Sequence, residues 1–355
     1  MINKKLDLII IGYNESQNLQ KCFESALKAC KGLKDSLNME SDIMYVDSYS
    51  TDNSVEIARA MCIKTCFSPQ LYHSCSNART AGFLLTENEF IMFLDGDMEI
   101  KQGWLTDGVK FLIDNPDAGA VAGIRDEMRL YKNKFYEIKN YNNVKDNVNP
   151  ISNDAGGAFM FRRAALESIG GFDPEVSSEE DYVAYCELKT RGWESYRINK
   201  PMITHWDTKI KNIESGINHL LINKKALVPG IIFKYALFNT NWAWLYMLKF
   251  KKYIILHTAW LSITVTSMIL YYLKITTLNQ VAAWFIVITF FYLFHISAEK
   301  KDLTRTLAAL FLRTAYVFNM LIAFAFNYPK INFNTQTNKD YIKNVYKING
   351  LDFPS

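Results

Sequence analysis

Two hydrophobic rhythms alternate along the first two thirds of the chain. "LDLIIIGYN" starts with a short Leu and Ile run closed by turn residues, the pattern of a strand buried on both faces. From Asn14 to about Leu33 the apolar residues Leu19, Cys22, Phe23, Ala26, Leu27 and Cys30 fall at helical spacing on one face. Ile43 to Val46, in "DIMYVDSYSTDNS", reads as a second strand with a polar loop behind it. Ser54 then caps a helix that includes Ile57 to Met61. "IKTCFSP" gives a third strand, "CSNARTAGFLLT" a helix, and Asn88 to Leu94 a fourth strand. This alternation predicts an α/β fold with a mostly parallel sheet and helices on both faces. Ligands of such sheets bind beyond the carboxyl ends of the strands. Asn14, Asp47 and Asp95 all lie at such ends, so they are expected to converge.

The pattern then loosens. Val121 to Pro150 is rich in Tyr, Asn and Lys and reads as an excursion around a cleft. "DAGGAFMFRRAALESIGGFDPE" sets two glycine pairs around a short strand and helix. "SSEEDYVAYCELKTRGWESYRI" reads as a helix capped by Ser177 or Ser178, with acids near its positive end.

The last third is different again. Tyr253 to Leu273 and Ile275 to Ala298 contain no Lys, Arg, Asp or Glu, and each is long enough to span a bilayer. Thr306 to Tyr328 is a third candidate, interrupted by Arg313 and Asn319. Lys249, Lys251 and Lys252 precede the first span, Lys300, Lys301 and Arg305 follow the second, and the connector holds only Lys274. The positive-inside rule therefore puts the α/β domain on the cytoplasmic side of the cytoplasmic membrane. Ala226 to Leu248, rich in Trp, Tyr and Phe, reads as an interfacial segment. The expected layout is an α/β domain over 1–212, interfacial helices over 213–252, two or three membrane helices over 253–330 and a polar tail over 331–355.

Composition adds exclusions. The net charge of +4 over 355 residues comes without a basic stripe interleaved with aromatics, so no nucleic-acid partner is expected. The six cysteines form no CxxC pair, and Cys62, Cys66, His73 and Cys75 match no zinc spacing. Packed thiols in a reducing compartment are expected. "MINKKLDLIIIGYNES" has too short an apolar run for a secretory signal.

The chemistry concentrates in "IMFLDGDMEI". Asp95 and Asp97, two apart in extended chain, project to the same side, and Gly96 leaves room for close backbone approach. Carboxylates so placed repel each other unless a cation such as Mg2+ or Mn2+ joins them, and that cation can hold a diphosphate. An EF-hand loop is excluded because Ile100 stands where its sixth-position glycine belongs. "GYNESQ" is not a GxGxxG fingerprint, and no GxxxxGK[ST] loop occurs.

Taken in order, "IIIGYNES", "YVDSYSTDNS", "NARTAG", "FLDGDME", "GGAFMFRRAALESIGGFDPE", "EED" and "RGW" resemble the landmarks of glycosyltransferase family 2, inverting enzymes of the GT-A fold, over about Leu6 to His205. The resemblance implies a metal-dependent transfer of one sugar from a nucleotide sugar. Tyr13, Asn14 and Glu15 match the loop that holds base and ribose, and Asp47 the acid that contacts the base. Asp52 matches an acid that is usually structural. Arg79 matches an arginine near the phosphates. Asp95, Gly96 and Asp97 match the metal and diphosphate motif, and His205 a histidine near metal or phosphate. Gly156, Gly157 and Glu180 match the acceptor side, and Asp181 the catalytic base. An inverting transfer needs such a base to deprotonate an acceptor hydroxyl opposite the leaving diphosphate.

The chain also departs from the pattern. Tyr49 stands where glycine is usual, Ser48 where a second acid often stands, and Thr80 replaces an Asn, so the donor base is open. No QxxRW motif follows Asp181, which argues against a processive synthase. The apolar C-terminal third points to a lipid-linked or glycan acceptor at a membrane. A polyprenyl-phosphate glycosyltransferase and a non-catalytic sugar-nucleotide binder are the alternatives.

Overall fold

The computed structural model describes residues 5–68, 74–131, 134–150, 156–173, 176, 178–207, 228–237, 241–250 and 252–300. The chain divides into two compact units, one built on Met1–Lys211 and the other on Asn212–Pro329.

The first unit is organised around a single sheet. Its strands are β1 (Leu6–Gly12), β2 (Ser41–Asp47), β3 (Lys64–Phe67), β4 (Phe90–Asp95), β5 (Met98–Ile100), β6 (Ala118–Tyr131), β7 (Lys134–Ile138), β8 (Val148–Pro150), β9 (Phe159–Arg162) and β10 (Glu194–Asp207). They run in the order β3-β2-β1-β4-β9-β6-β10-β5, with β7 on β6 and β8 on β10. The β3-β2-β1-β4 half is parallel, as its continuous apolar runs predict. The other half is mixed. β9 is antiparallel to both β4 and β6, and β5 is antiparallel to β10. The expected mostly parallel sheet therefore holds for only one side of the molecule. Antiparallel neighbours need no crossover helix, and no helix is found between β7 and β9 among the described residues.

Ile91 to Leu94 are fully buried, which accounts for the apolar run ahead of the two aspartates. Burial of such a side chain is worth about 1.5–3 kcal/mol, enough to fix where the strand ends. Helix α1 (Leu19–Leu37) buries Leu19, Cys22, Phe23, Ala26, Ala29 and Leu33 on one stripe. It begins five residues later than the periodicity predicts. Asn14 adopts a left-handed φ of 57°, so Asn14 to Asn18 form a turn ahead of the helix. The remaining helices of this unit are α2 (Ser54–Ala60), α3 (Cys75–Leu84), α4 (Trp104–Asp114), α5 (Arg163–Ile169) and α6 (Glu180–Thr190). The stretch from Val121 to Pro150, expected as an excursion, instead supplies most of β6 and all of β7 and β8 to the sheet. All six cysteines are thiols, with Cys22, Cys66 and Cys186 buried; His73 lies outside the described residues.

The second unit contains α7 (Val228–Leu237), α8 (Asn241–Phe250), α9 (Lys252–Tyr272) and α10 (Leu278–Lys300). α9 and α10 overlap the two segments expected to span a bilayer. Among the described residues, however, no helix is long and apolar enough to cross a membrane. Thr258, Ser262, Thr264, Thr266 and Ser267 interrupt the apolar content of α9, and Asn279 and Gln280 open α10. Trp260 Nε1 donates to Thr289 Oγ1 at 3.2 Å, joining the two helices. The third segment, Thr306 to Tyr328, and the tail over 331–355 lie outside the described residues.

Candidate active site at the carboxyl ends of the strands

Asp95 ends β4 and Asp97 follows two residues later, at the carboxyl edge of the parallel half. Gly96 between them has a packing role. Its N–H donates to Ile11 O at 2.8 Å, and a Cβ there would lie 3.1 Å from Leu19 Cδ1 and 3.2 Å from Glu15 Cβ. The glycine thus lets the start of α1 close over the loop.

Arg79, on α3, reaches Asp95 from the interior. Its Nη2 donates to Asp95 Oδ1 at 2.6 Å and to Gly157 O at 3.1 Å, and its Nη1 pairs with Glu180 Oε1. The guanidinium is buried. Burial works against its charge, but Asp95 and Glu180 outweigh that and raise its pKa. Burial also pushes the Asp95 carboxyl up to about 6, with Arg79 opposing the shift. Arg79 was expected beside the donor phosphates. Instead it joins the end of β4, the glycine pair and the start of α6.

That junction reassigns Glu180. It is buried against Arg79 rather than presented to an acceptor. Asp181, the next residue, is only partly buried and lies in the first turn of α6, where its Oδ1 accepts the Tyr182 N–H at 2.8 Å. Ser178 does not cap this helix, and Ser177 lies outside the described residues; the cap position is Glu179, held at a left-handed φ of 62°. The carbonyls of the glycine pair are also engaged by protein, Gly157 by Arg79 and Gly156 by Arg125 Nη1 at 3.0 Å. Gly157 has φ +77°, and a Cβ there would collide with Asp95 Oδ2.

Asp97 has a different environment. Its Oδ1 is buried without a hydrogen-bond partner, and its Oδ2 lies 3.3 Å from His205 Nε2. His205 Nδ1 is 2.9 Å from Glu127 Oε2, and Glu127 also pairs with Arg125. Burial opposes the imidazolium, but the bonds to Asp97 and Glu127 prevail and carry His205 up to about 9. For Glu127, burial is likewise outweighed, by His205 and Arg125, and its carboxyl is held below the usual range. The sequence reading missed Arg125 and Glu127. Their spacing of two within a strand was the available signal, since it puts both on the His205 side. It also left Glu99 without a role, and here Glu99 accepts the Trp206 indole N–H at 2.6 Å.

Asp95, Asp97 and His205 were expected to form a metal cage together. Among the described residues, no group of three or more His, Cys, Asp or Glu side chains is arranged to hold a metal ion. Arg79 takes up an oxygen of Asp95, leaving Asp97 and His205 as the converging donors. Two protein donors suit Mg2+ or Mn2+ only where substrate phosphates and water complete the coordination, and the orphaned Asp97 oxygen fits that chemistry.

The loops after β1 and β2 are knitted together by Asp47, expected to contact the base, and by Asp52, expected to be structural. Asp47 is fully buried and accepts from Tyr45 Oη at 2.9 Å, from Ser50 N at 2.7 Å and from Ser50 Oγ at 2.6 Å. Asn14 N donates to Ser50 Oγ at 2.9 Å, and Asn14 Oδ1 accepts from Thr51 N at 2.8 Å. Asp52 accepts from Ser16 N at 3.0 Å and from Ser54 Oγ at 2.6 Å, a structural tie. Glu15 N donates to Ser54 Oγ at 3.1 Å. Tyr13 is 50% exposed, so its ring presents a face beside these loops.

Residues 7–170 match the family model described as Glycosyl transferase family 2. No curated protein matches the chain. Among solved structures, the mannosyltransferase PcManGT from Pyrobaculum calidifontis, in complex with GDP-Man and Mn2+, is 14% identical with a TM-score of 0.53. That match covers 91% of this chain and 88% of PcManGT. S. aureus TarS 1–349 is 16% identical with a TM-score of 0.47, and the match covers 64% of each chain. The chain thus spans just under two thirds of the TarS structure it matches. At these identities the likeness is one of fold, a GT-A-like α/β unit.

Proposed function

We propose that this chain, whose residues 7–170 carry a Glycosyl transferase family 2 domain, is a nucleotide-sugar glycosyltransferase that moves one sugar to an acceptor hydroxyl with inversion. The Arg79 bridge supports this function above all. It ties Asp95 of the diphosphate motif to Glu180, the neighbour of Asp181, and so makes them parts of one site. Asp181 acts as the base, taking the acceptor proton from the first turn of α6. Asp97 and, once it gives up its Nε2 proton, His205 would hold the divalent ion, which would offset charge on the departing diphosphate. Mn2+ accompanies the nucleotide sugar in PcManGT. Tyr13 offers its exposed ring to the base.

The acceptor, in this proposal, is lipid-linked. Ile263, Met268, Ile269, Ile286, Val287 and Phe290 on α9 and α10 are exposed large apolar side chains, more than a soluble surface ordinarily carries together. They are suited to lie on a lipid surface. The flanking Lys249, Lys251, Lys252, Lys300, Lys301 and Arg305 favour an anionic, cytoplasmic leaflet.

The test is nucleoside diphosphate release from UDP- and GDP-sugars with and without Mn2+, using a lipid extract as acceptor. Metal-dependent release that Asp181→Asn abolishes is expected. Release from no donor under any condition overturns the enzyme assignment.

A further inference from the structure

The strand that carries Arg125 and Glu127 continues past the site, and its next residues on that face are not used by the donor chemistry. Arg129 lies two residues beyond Glu127, opposite Tyr136 of β7 in the antiparallel register. Tyr141, just after that strand, donates its backbone N–H to Arg125 O at 2.8 Å. Its ring centroid lies 5.4 Å from the Arg125 guanidinium carbon and 4.9 Å from that of Arg129. Arg125, Tyr141, Arg129 and Tyr136 therefore form a strip starting where Arg125 holds the Gly156 carbonyl and stands 2.9 Å from His205 Nδ1.

Three properties of the strip point to a ligand. Tyr136 is 52% and Tyr141 40% exposed, so the aromatic area is open to solvent. The Nε atoms of Arg125 and Arg129 are both buried without a hydrogen-bond partner, that of Arg129 facing the Asp207 carboxylate at 4.0 Å. The charge is already balanced. Glu127 pairs with Arg125 and lies 3.9 Å from Arg129, and the Asp207 carboxylate is 4.0 Å from Arg129. A phosphate would find these arginines partly neutralised. A lipid chain would meet the exposed Lys134, Glu137 and Lys139 along β7 and beside it. A neutral, polyhydroxylated ring suits the strip: its C–H face stacks on tyrosine, and its hydroxyls accept from guanidinium N–H groups.

We propose that Arg125, Tyr141, Arg129 and Tyr136 form a saccharide platform that holds sugar rings of the acceptor beside the transfer site. The proposal rests on the glycosyltransferase function above for its meaning, but binding can be read without turnover.

The experiment is saturation-transfer NMR on the full chain with methyl glycosides of glucose, galactose, mannose and N-acetylglucosamine. At least one is expected to give signals on its ring C–H protons. Tyr141→Ala and Tyr136→Ala should each weaken that affinity about tenfold. Tyr141→Phe, which keeps the ring, should restore it to within about twofold, and Lys139→Ala, off the strip, should leave it unchanged. Melting curves identify any variant that has lost its fold, and Tyr141→Phe then carries the comparison. No glycoside signal in the unaltered chain overturns the platform, as do signals that survive both alanine substitutions. Calorimetry with UDP, GDP and Mn2+ on the same samples reads the donor side separately. Glycoside binding without nucleotide binding overturns the donor assignment and supports the platform; nucleotide binding without a glycoside signal does the opposite.

Discussion

Arg79 donates to Asp95 Oδ1 at 2.6 Å from inside the protein, and the same buried guanidinium pairs with Glu180. One cation thus neutralises an acid of the Asp95-Gly96-Asp97 motif and the acid next to the proposed base. Arg79→Met removes that cation and strands two carboxylates in a poorly solvated pocket. The expected loss is about 3–5 kcal/mol of stability, read by urea denaturation of the full chain. Adding Glu180→Gln should recover part of it. A double variant no more stable than Arg79→Met counts against the bridge.

The two aspartates of the motif should respond differently to the same chemical change. Asp95→Asn loses its ion pair with Arg79 and is expected to lower both stability and rate. Asp97→Asn weakens a single bond to His205 Nε2 and leaves Oδ1 without a partner as before, so its stability loss should be smaller than that of Asp95→Asn. Mn2+-dependent nucleotide release in Asp97→Asn should nevertheless fall about 100-fold. Metal titrations beside denaturation curves separate the two effects. Equal responses at both positions count against the division of labour.

Asp181→Asn keeps the size and most contacts of the side chain while removing the base. Transfer should fall by about 10²- to 10⁴-fold while nucleotide affinity stays close to normal. Single-turnover rates and calorimetric binding give the two quantities. A variant that transfers at the normal rate moves the base elsewhere.

Much of this arrangement was legible in the letters because local patterns decided it. The apolar run Ile91 to Leu94 had to be buried, which put Asp95 and Asp97 at a strand end. What the letters concealed depended on long-range partners. Arg79 and Glu180 are 101 residues apart, and no local spacing shows that they meet. Asp47 was expected to face a base, yet its own neighbours Tyr45 and Ser50 satisfy both its oxygens. The antiparallel entry of β9 was hidden for a related reason: a short apolar strand such as Phe159–Arg162 has the same pattern in either direction. The C-terminal helices show a limit of a charge count, since serines, threonines and amides lower apolarity without adding charge.

Tyr49 offers a test of backbone conformation in the loop after β2. It stands where glycine is usual in the family that the sequence resembles, and its φ of 62° lies in the left-handed region. That conformation costs a residue with a side chain about 1–2 kcal/mol relative to glycine. The ring recovers some of this through Phe67, whose centroid lies 5.5 Å away at a tilt of 32°. Tyr49→Ala keeps the conformational cost and loses the ring contact, whereas Tyr49→Gly loses the contact and relieves the cost. Glycine should therefore be more stable than alanine here by about 1 kcal/mol, the reverse of their order in regular structure. Chemical denaturation of the two variants side by side reads the difference directly. Alanine equal to or more stable than glycine means that the loop holds position 49 at negative φ.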